Sequence, residues 1–202
     1  NAWDSLIPAL ERGDFDIAVN GIEITPQRME RVIFTKPYYI YTVQTVIRAD
    51  EERIKEFADL KGKKVGTLQG AVSHTLLQEL GGVNIKVYSG VVEPYEDLAL
   101  GRLDAVFLDS PIASYYAKPN KKLKYIGEPV GEGLYGMALR KEDKELRDEI
   151  DKILVKLISS GELKKIYEKW NLWDKSQEKL YNYTKEYSGE SFKEEIKSIS
   201  VI

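Results

Sequence analysis

The sequence predicts an α/β fold made of two similar lobes, and three observations carry that prediction. Strand-like apolar runs alternate with helical periods along most of the chain. A helix–Gly–Asp–strand unit occurs twice: Leu10-Glu-Arg-Gly13, Asp16 and Ile17-Ala-Val-Asn-Gly21 line up with Leu98-Ala-Leu-Gly101, Asp104 and Ala105-Val-Phe-Leu-Asp109. Two segments also suit crossings between lobes, one near Arg48 to Asp50 and one at Gly131-Glu-Gly133, where glycine permits a change of φ.

Each element follows from local pattern. Asp4 to Arg12 reads as helix and Phe15 to Val19 as strand. Pro26 suits an early helical position, so Pro26 to Val32 reads as a short helix. Tyr39 to Arg48 alternates and is rich in β-branched and aromatic residues, which predicts a strand leaving lobe one. Arg53 to Leu60 reads as a short helix before the Gly62 turn. Lys64 to Leu68, Ile85 to Tyr88, Ala105 to Leu108 and Lys124 to Gly127 read as strands of lobe two, with helices between. Tyr135 to Arg140 reads as a strand back in lobe one, and Lys144 to Ile158 and Glu162 to Trp170 as amphipathic helices. The implied organisation is lobe one over 1–48, lobe two over 49–131, a return to lobe one over 132–173 and an extension over 174–202.

Three segments suggest chemistry. Asn20-Gly-Ile-Glu-Ile-Thr-Pro-Gln-Arg28 follows a strand and opens a helix, placing a guanidinium where a small carboxylate is favoured. Lys64-Val-Gly-Thr-Leu-Gln-Gly70 leads into a helical pattern from Ala71, whose first N–H groups favour an anion. A plain strand–turn–helix connection capped by Ser73 reads equally from that segment. The third is the repeat itself, which makes Gly21 and Asp109 equivalent positions at two strand ends. Set across a cleft, Arg28 and Asp109 offer a cation and an anion, which suits an α-amino acid zwitterion.

Composition narrows the classes. With 202 residues and 43% hydrophobic content, the chain can bury a substantial core. A net charge of −3, with no basic stripe, argues against nucleic acid. The runs Lys61-Gly-Lys-Lys64 and Lys121-Lys-Leu-Lys124 read as solvated turns. Zero cysteines exclude disulfides and thiolate chemistry. No segment is long and apolar enough to span a membrane. His74 is the sole histidine, so a histidine-rich metal site cannot form within the chain; it sits early in a helix and reads as a surface or packing residue, and no catalytic residue, metal or cofactor is assigned. Glu23 and Asp109 could serve as an acid/base pair in an enzyme on the same fold.

The chain resembles the extracytoplasmic amino-acid-binding proteins of ABC importers, family 3-like, with the two-lobed type II periplasmic-binding-protein (Venus flytrap) fold and a ligand cleft between lobes. The resemblance runs from about Trp3 to Trp173. It rests on Trp3-Asp-Ser-Leu-Ile-Pro-Ala-Leu10, Thr25-x-x-Arg28, Phe34-Thr-Lys-Pro-Tyr-Tyr39, Val65-Gly-Thr-Leu-Gln-Gly70, Gly101-Arg-Leu-Asp-Ala-Val106 and Gly161-Glu-Leu-Lys-Lys-Ile-Tyr-Glu-Lys-Trp170, all in family order. It implies that Arg28 clamps the ligand carboxylate, Asp109 pairs with its ammonium and the Gly21 carbonyl accepts from that ammonium. It implies that Trp3 packs on the ligand side chain, and that Val72 and Ser73 hold the carboxylate through backbone amides and a hydroxyl.

Two departures stand out. Glu23 occupies a position where the family usually has Ser or Thr, so it adds an ammonium contact favouring cationic ligands or turns out to solvent. Ala71 and Val72 replace the Thr often found in the facing loop. The resemblance also implies a first strand, loop, helix and second strand ahead of Trp3, so the expectation is a fragment or a separate N-terminal partner piece.

The implied partners are a polar L-amino acid (glutamine, or the arginine, lysine and histidine class) and a membrane permease, at an extracytoplasmic location. The alternatives on this fold are a sensor domain and a prephenate or arogenate dehydratase. Beyond Trp173, Leu180, Tyr181 and Tyr187 are candidates to dock on lobe one and Ser191 to Ile202 to form a helix. A surface tail and a connector to a permease both remain open there.

Overall fold

The computed structural model describes residues 2–186, and the statements that follow concern those residues. A 3-10 turn at Trp3–Ser5 leads into α1 (Leu6–Glu11). Then come β1 (Ile17–Ala18), α2 (Pro26–Met29), β2 (Ile33–Phe34) and the long β3 (Tyr39–Arg48). After a 3-10 turn at Phe57–Leu60 follow β4 (Lys64–Leu68), α3 (Val72–Leu80), β5 (Asn84–Tyr88), α4 (Glu93–Ala99), β6 (Ala105–Asp109) and α5 (Ser110–Tyr116). The chain continues through β7 (Leu123–Tyr135), β8 (Ala138–Leu139), α6 (Lys144–Ser159), α7 (Glu162–Lys169), a 3-10 turn at Lys175–Lys179 and α8 (Leu180–Glu186).

The described residues fall into two compact units. One holds the residues up to Asp4 with Thr42–Gly131, and the other holds Ser5–Tyr41 with the residues from Glu132 onward. The chain passes from one to the other inside β3, after Tyr41, and back inside β7, after Gly131.

The first unit is built on a five-stranded sheet in the order β5-β4-β6-β3-β7. β4 runs parallel to β5 and β6, with Val65 opposite Ile85 and Ala105, while β3 is antiparallel to β6. β6 is buried along its whole length and β4 from Val65 onward, as expected of parallel strands covered on both faces. Gly66 is required in β4, since a Cβ there would lie 2.6 Å from the Leu103 side chain. α3 carries the chain from β4 to β5, whereas α5 carries it from β6 past β3 to β7. Neighbouring strands β4 and β6 therefore send their connections in opposite directions. That is the switch point of an open α/β sheet, where the strand ends leave a crevice.

The second unit has a three-stranded sheet in the order β1-β8-β2, antiparallel throughout. Arg140 closes one end by donating to the Phe15 carbonyl and the Asp16 carboxylate, each at 2.9 Å. Its interior contains a tyrosine stack. The Tyr41 and Tyr135 rings lie 4.6 Å apart and nearly parallel, Tyr39 also stacks on Tyr135, and Tyr167 meets Tyr39 edge-on at 5.2 Å. Pairs of this kind favour offset or edge contacts and add to the burial of large apolar area. Burial pushes the Tyr39 and Tyr167 hydroxyls up, and each donates to a backbone carbonyl, Leu172 and Tyr38 respectively.

Several expectations are corrected. The strand expected at Lys124 to Gly127 extends from Leu123 to Tyr135, so Gly131-Glu-Gly133 lies inside β7 rather than forming a loose return. β7 lies at the sheet edge, where Pro129 needs no ladder partner for its missing N–H. The strand expected at Tyr135 to Arg140 is interrupted at Gly136, whose N–H donates to the Ile22 carbonyl, and only Ala138–Leu139 pairs as β8. Helix at Arg53 to Leu60 shrinks to the 3-10 turn at Phe57–Leu60, closed by the reciprocal Glu56 and Asp59 capping box.

Past Trp173, the chain is more than a surface tail. Gln177 is 1% exposed, its amide oxygen accepts from Ile40 N at 3.0 Å and its amide nitrogen donates to Ile40 O at 2.6 Å. This amide supplies β3 with the pairing a further strand would give. Leu180 is buried and Tyr181 exposed, while Tyr187 and the expected helix at Ser191 to Ile202 lie outside the described residues.

Two predictions follow from these contacts. A Cβ on Gly133 would lie 2.3 Å from the Tyr41 ring, which is itself clamped on Tyr135. Gly133→Ala should therefore cost about 1–3 kcal/mol or more in urea unfolding, and an unchanged midpoint would contradict this packing. The second concerns Glu51, whose carboxylate accepts from Arg53 N, Nε and Nη2 at 2.6–2.9 Å and is held down to about 2 chiefly by the Arg53 side chain. A carboxylate lowered from 4.5 stabilises the fold fully above that value and loses its contribution as pH falls towards about 2. Glu51→Gln should lower the melting temperature at pH 7, and the gap should close across that acid window.

Candidate functional site

Residues 21–28 form a tightly pinned segment. Gly21 sits at φ +57°, in the left-handed region, and its N–H donates to the Tyr38 hydroxyl at 3.2 Å. A Cβ at Gly21 would lie 3.3 Å from the Tyr135 ring, so the backbone rests directly on an aromatic face. Ile22 O accepts from Gly136 N, Ile24 N donates to Leu134 O at 2.8 Å, and Glu23 bridges to Tyr135. The segment thus adds as an extra pairing to the end of β7.

Thr25 then starts α2. Its backbone is extended, at φ −127° and ψ 152°, its hydroxyl accepts from Arg28 N at 3.3 Å, and Pro26 occupies the first turn. The cap fixes where Arg28 begins. Its Nη1 folds back onto the Glu23 carbonyl at 2.7 Å and the Glu23 carboxylate at 2.5 Å. Glu23 is 1% exposed and the Arg28 side chain 15%. Of the two orientations open to Glu23, the one turned out to solvent is not found: Glu23 is buried against Arg28. A carboxylate so deep is tolerated because it is paired and hydrogen-bonded.

The five-stranded unit carries both Ala71–Ser73 and Asp109. β4 and β6 are parallel neighbours, so the start of α3 and the end of β6 lie at the same edge of the sheet, at the switch point. Asp109 is 4% exposed, faces Val43 across the β3–β6 ladder and immediately precedes α5 without capping it. Next to it, Ser110 and Thr42 hydroxyls meet at 2.6 Å. Trp3 is partly buried against the core that includes Leu68, Ala71 and Leu108. Asp4 approaches Gly70, since a Cβ there would lie 3.8 Å from the Asp4 Cβ.

Ser73 departs from expectation. It neither caps α3, whose cap position is Ala71, nor points a donor outwards. It is fully buried and its hydroxyl lies 2.9 Å from the Thr67 hydroxyl, which in turn donates to the Phe107 carbonyl. The single Thr67 proton goes to Phe107, so Ser73 must donate its own to Thr67. A hydroxyl committed this way has no proton left for a ligand carboxylate. Its role is to tie the start of α3 to β4 and β6. His74 accepts a long contact of 3.5 Å from Gly70 N and belongs to the same turn.

Sequence reading gives no role to Tyr38 and Tyr135, which hold the Gly21 backbone, or to Thr67, which holds the start of α3 within the other unit. The Phe34-to-Tyr39 motif marked Tyr38, but nothing in its spacing ties its hydroxyl to Gly21.

Residues 1–172 match the family of bacterial extracellular solute-binding proteins, family 3. The ABC transporter arginine-binding protein 1 of Escherichia coli (strain K12) is 33% identical over 176 residues, covering 84% of this chain and 72% of that protein. The histidine-binding periplasmic protein of Salmonella typhimurium (strain LT2) is 34% identical over 181 residues, covering 84% of this chain and 70% of that protein. Among solved structures, an ancestral arginine-binding protein bound to arginine superposes with a TM-score of 0.79 at 36% identity, covering 84% of this chain and 77% of that one. Family match, shared fold and identity over most of the chain agree: it belongs to the bacterial extracellular solute-binding proteins of family 3.

Proposed function

We propose that this chain is the extracytoplasmic substrate-binding component of an ABC importer and binds a polar L-amino acid, of the glutamine or the arginine, lysine and histidine class, for delivery to a membrane permease. The observation that carries this reading is the guanidinium of Arg28, held by a Thr25-capped turn and by Glu23. A cation fixed before the ligand arrives loses little freedom on binding, and planar guanidinium matches a carboxylate. Relatives named for arginine and histidine support the ligand class, and their being binding proteins supports capture rather than turnover.

The roles follow from chemistry. Arg28 takes the ligand α-carboxylate, assisted by the Val72 amide at the start of α3. Asp109 takes the α-ammonium, which also donates to the Gly21 carbonyl. Trp3 offers apolar surface to the ligand side chain. Ser73 acts through Thr67 by fixing the start of α3. Pairing both ligand charges removes the cost of burying either alone.

The test is a thermal-shift screen against the common L-amino acids, followed by calorimetry on Arg28→Ala. A ligand at about 100 times its dissociation constant adds roughly 2.7 kcal/mol of stability. Loss of one partner of a buried ion pair costs about 3–5 kcal/mol, so Arg28→Ala should weaken binding at least about a hundredfold. Parent-like binding by Arg28→Ala would overturn the site.

A further inference from the structure

We propose that Gln177 is a positioning residue for amino-acid capture: by holding Ile40 it fixes the start of β3, on which the segment 21–28 depends, without touching the amino acid. The inference rests on the reading above for what that segment does. It assigns a role to a residue beyond position 172, where the family match ends.

Three successive residues around the start of β3 are gripped by the C-terminal part of the chain. The Tyr167 hydroxyl donates to the Tyr38 carbonyl, and the Tyr39 hydroxyl donates to the Leu172 carbonyl at 2.9 Å. The Gln177 amide pairs with both Ile40 N and Ile40 O, at 3.0 and 2.6 Å. The same stretch holds the candidate site, since Gly21 N donates to the Tyr38 hydroxyl. β7 repeats the pattern more weakly. Lys179 Nζ lies 2.7 Å from the Glu132 carboxylate, and Leu134 O accepts from Ile24 N. The Lys179 pair is largely exposed and adds little. All these residues belong to one unit.

Gln177 is the firmest of these holds. It is 1% exposed, and withdrawing it would leave Ile40 N–H, Ile40 C=O and the amide itself to be satisfied elsewhere. A support fixed before capture spares an ordering cost at capture. Its loss therefore appears as weaker binding by a chain that is still folded, by about tenfold.

Gln177→Glu makes the hold depend on pH. A neutral carboxyl group keeps the acceptor and the donor of the amide, whereas a carboxylate only accepts and would face the Ile40 carbonyl. Burial, that carbonyl and Asp174, whose Oδ1 lies 3.3 Å from the Gln177 amide nitrogen, all favour the neutral form. The Tyr39 hydroxyl, pushed up by burial, stays neutral throughout. The folded-state value of the new carboxyl group then lies above the ordinary one of about 4.3, and the pairing is lost as pH rises through it. Calorimetry with L-arginine, L-lysine, L-histidine and L-glutamine should show Gln177→Glu binding like the unmodified chain at about pH 5 and about tenfold more weakly at about pH 8.5. Gln177→Leu should be weaker at both, with circular dichroism reporting the folded state alongside. Parent-like binding by folded Gln177→Leu, parent-like binding by Gln177→Glu at both pH values, or affinity lost only in step with the fold would overturn the proposal and leave the amino-acid reading standing. Should Gln177→Leu not fold, Gln177→Glu decides the matter. Failure of the unmodified chain to bind any of the four would overturn both.

Discussion

The candidate site depends on one buried ion pair. Glu23 and Arg28 meet at 2.5 Å, five residues apart, with the carboxylate hidden from solvent. Neither charge is stable there alone, so the chain between them must adopt a shape that brings them together. The extended Thr25 and the fixed φ of Pro26 provide it, by turning the backbone within two residues. With Ile22 and Ile24 bonded to Gly136 and Leu134, the left-handed Gly21 is pressed onto the Tyr135 ring and its N–H is delivered to Tyr38. Tyrosine stacking, glycine conformation and guanidinium placement are therefore one arrangement.

The five-stranded unit reaches its own arrangement by topology. A short turn follows β4 while α5 starts directly after β6, and parallel pairing of these strands sets the starts of α3 and α5 at one edge of the sheet. Opposite departures of α3 and α5 leave that edge uncovered by a connection. Buried hydroxyls then lock it. Ser73, Thr67 and the Phe107 carbonyl form a chain in which every proton is assigned, fixing the start of α3 relative to both strands. Such a chain is rigid because any slip strands a buried polar group.

Much of this was legible in the sequence, and the exceptions have physical causes. β3, β4, β6, α6 and α7 were read from periodicity because each buries one face or a whole run. Arg28 and its Thr25 cap were read from turn chemistry, which is local. β7 was misjudged at Gly131-Glu-Gly133, because glycine marks permissiveness and not a break, and an edge strand asks little of its residues. Gln177 was missed because its partners at Ile40 lie far away in sequence and a buried glutamine carries no periodic signal. Its place near a helix start suggests Ser73 as a cap, and the resemblance implies a hydroxyl offered to a ligand. Its true partner is Thr67, on the preceding strand, and a hydroxyl direction is decided by three-dimensional neighbours. Glu23 was open between two orientations for the same reason, since the spacing to Arg28 permits the pair without requiring it.

Arg28, held by Glu23, is proposed to receive the carboxylate of an amino acid. A crystal structure of the chain grown with L-arginine tests it directly. Density for the ligand carboxylate is expected on the Arg28 guanidinium, with Glu23 still buried beside it. A ligand whose carboxylate lies elsewhere, with Arg28 paired only to Glu23, would contradict it.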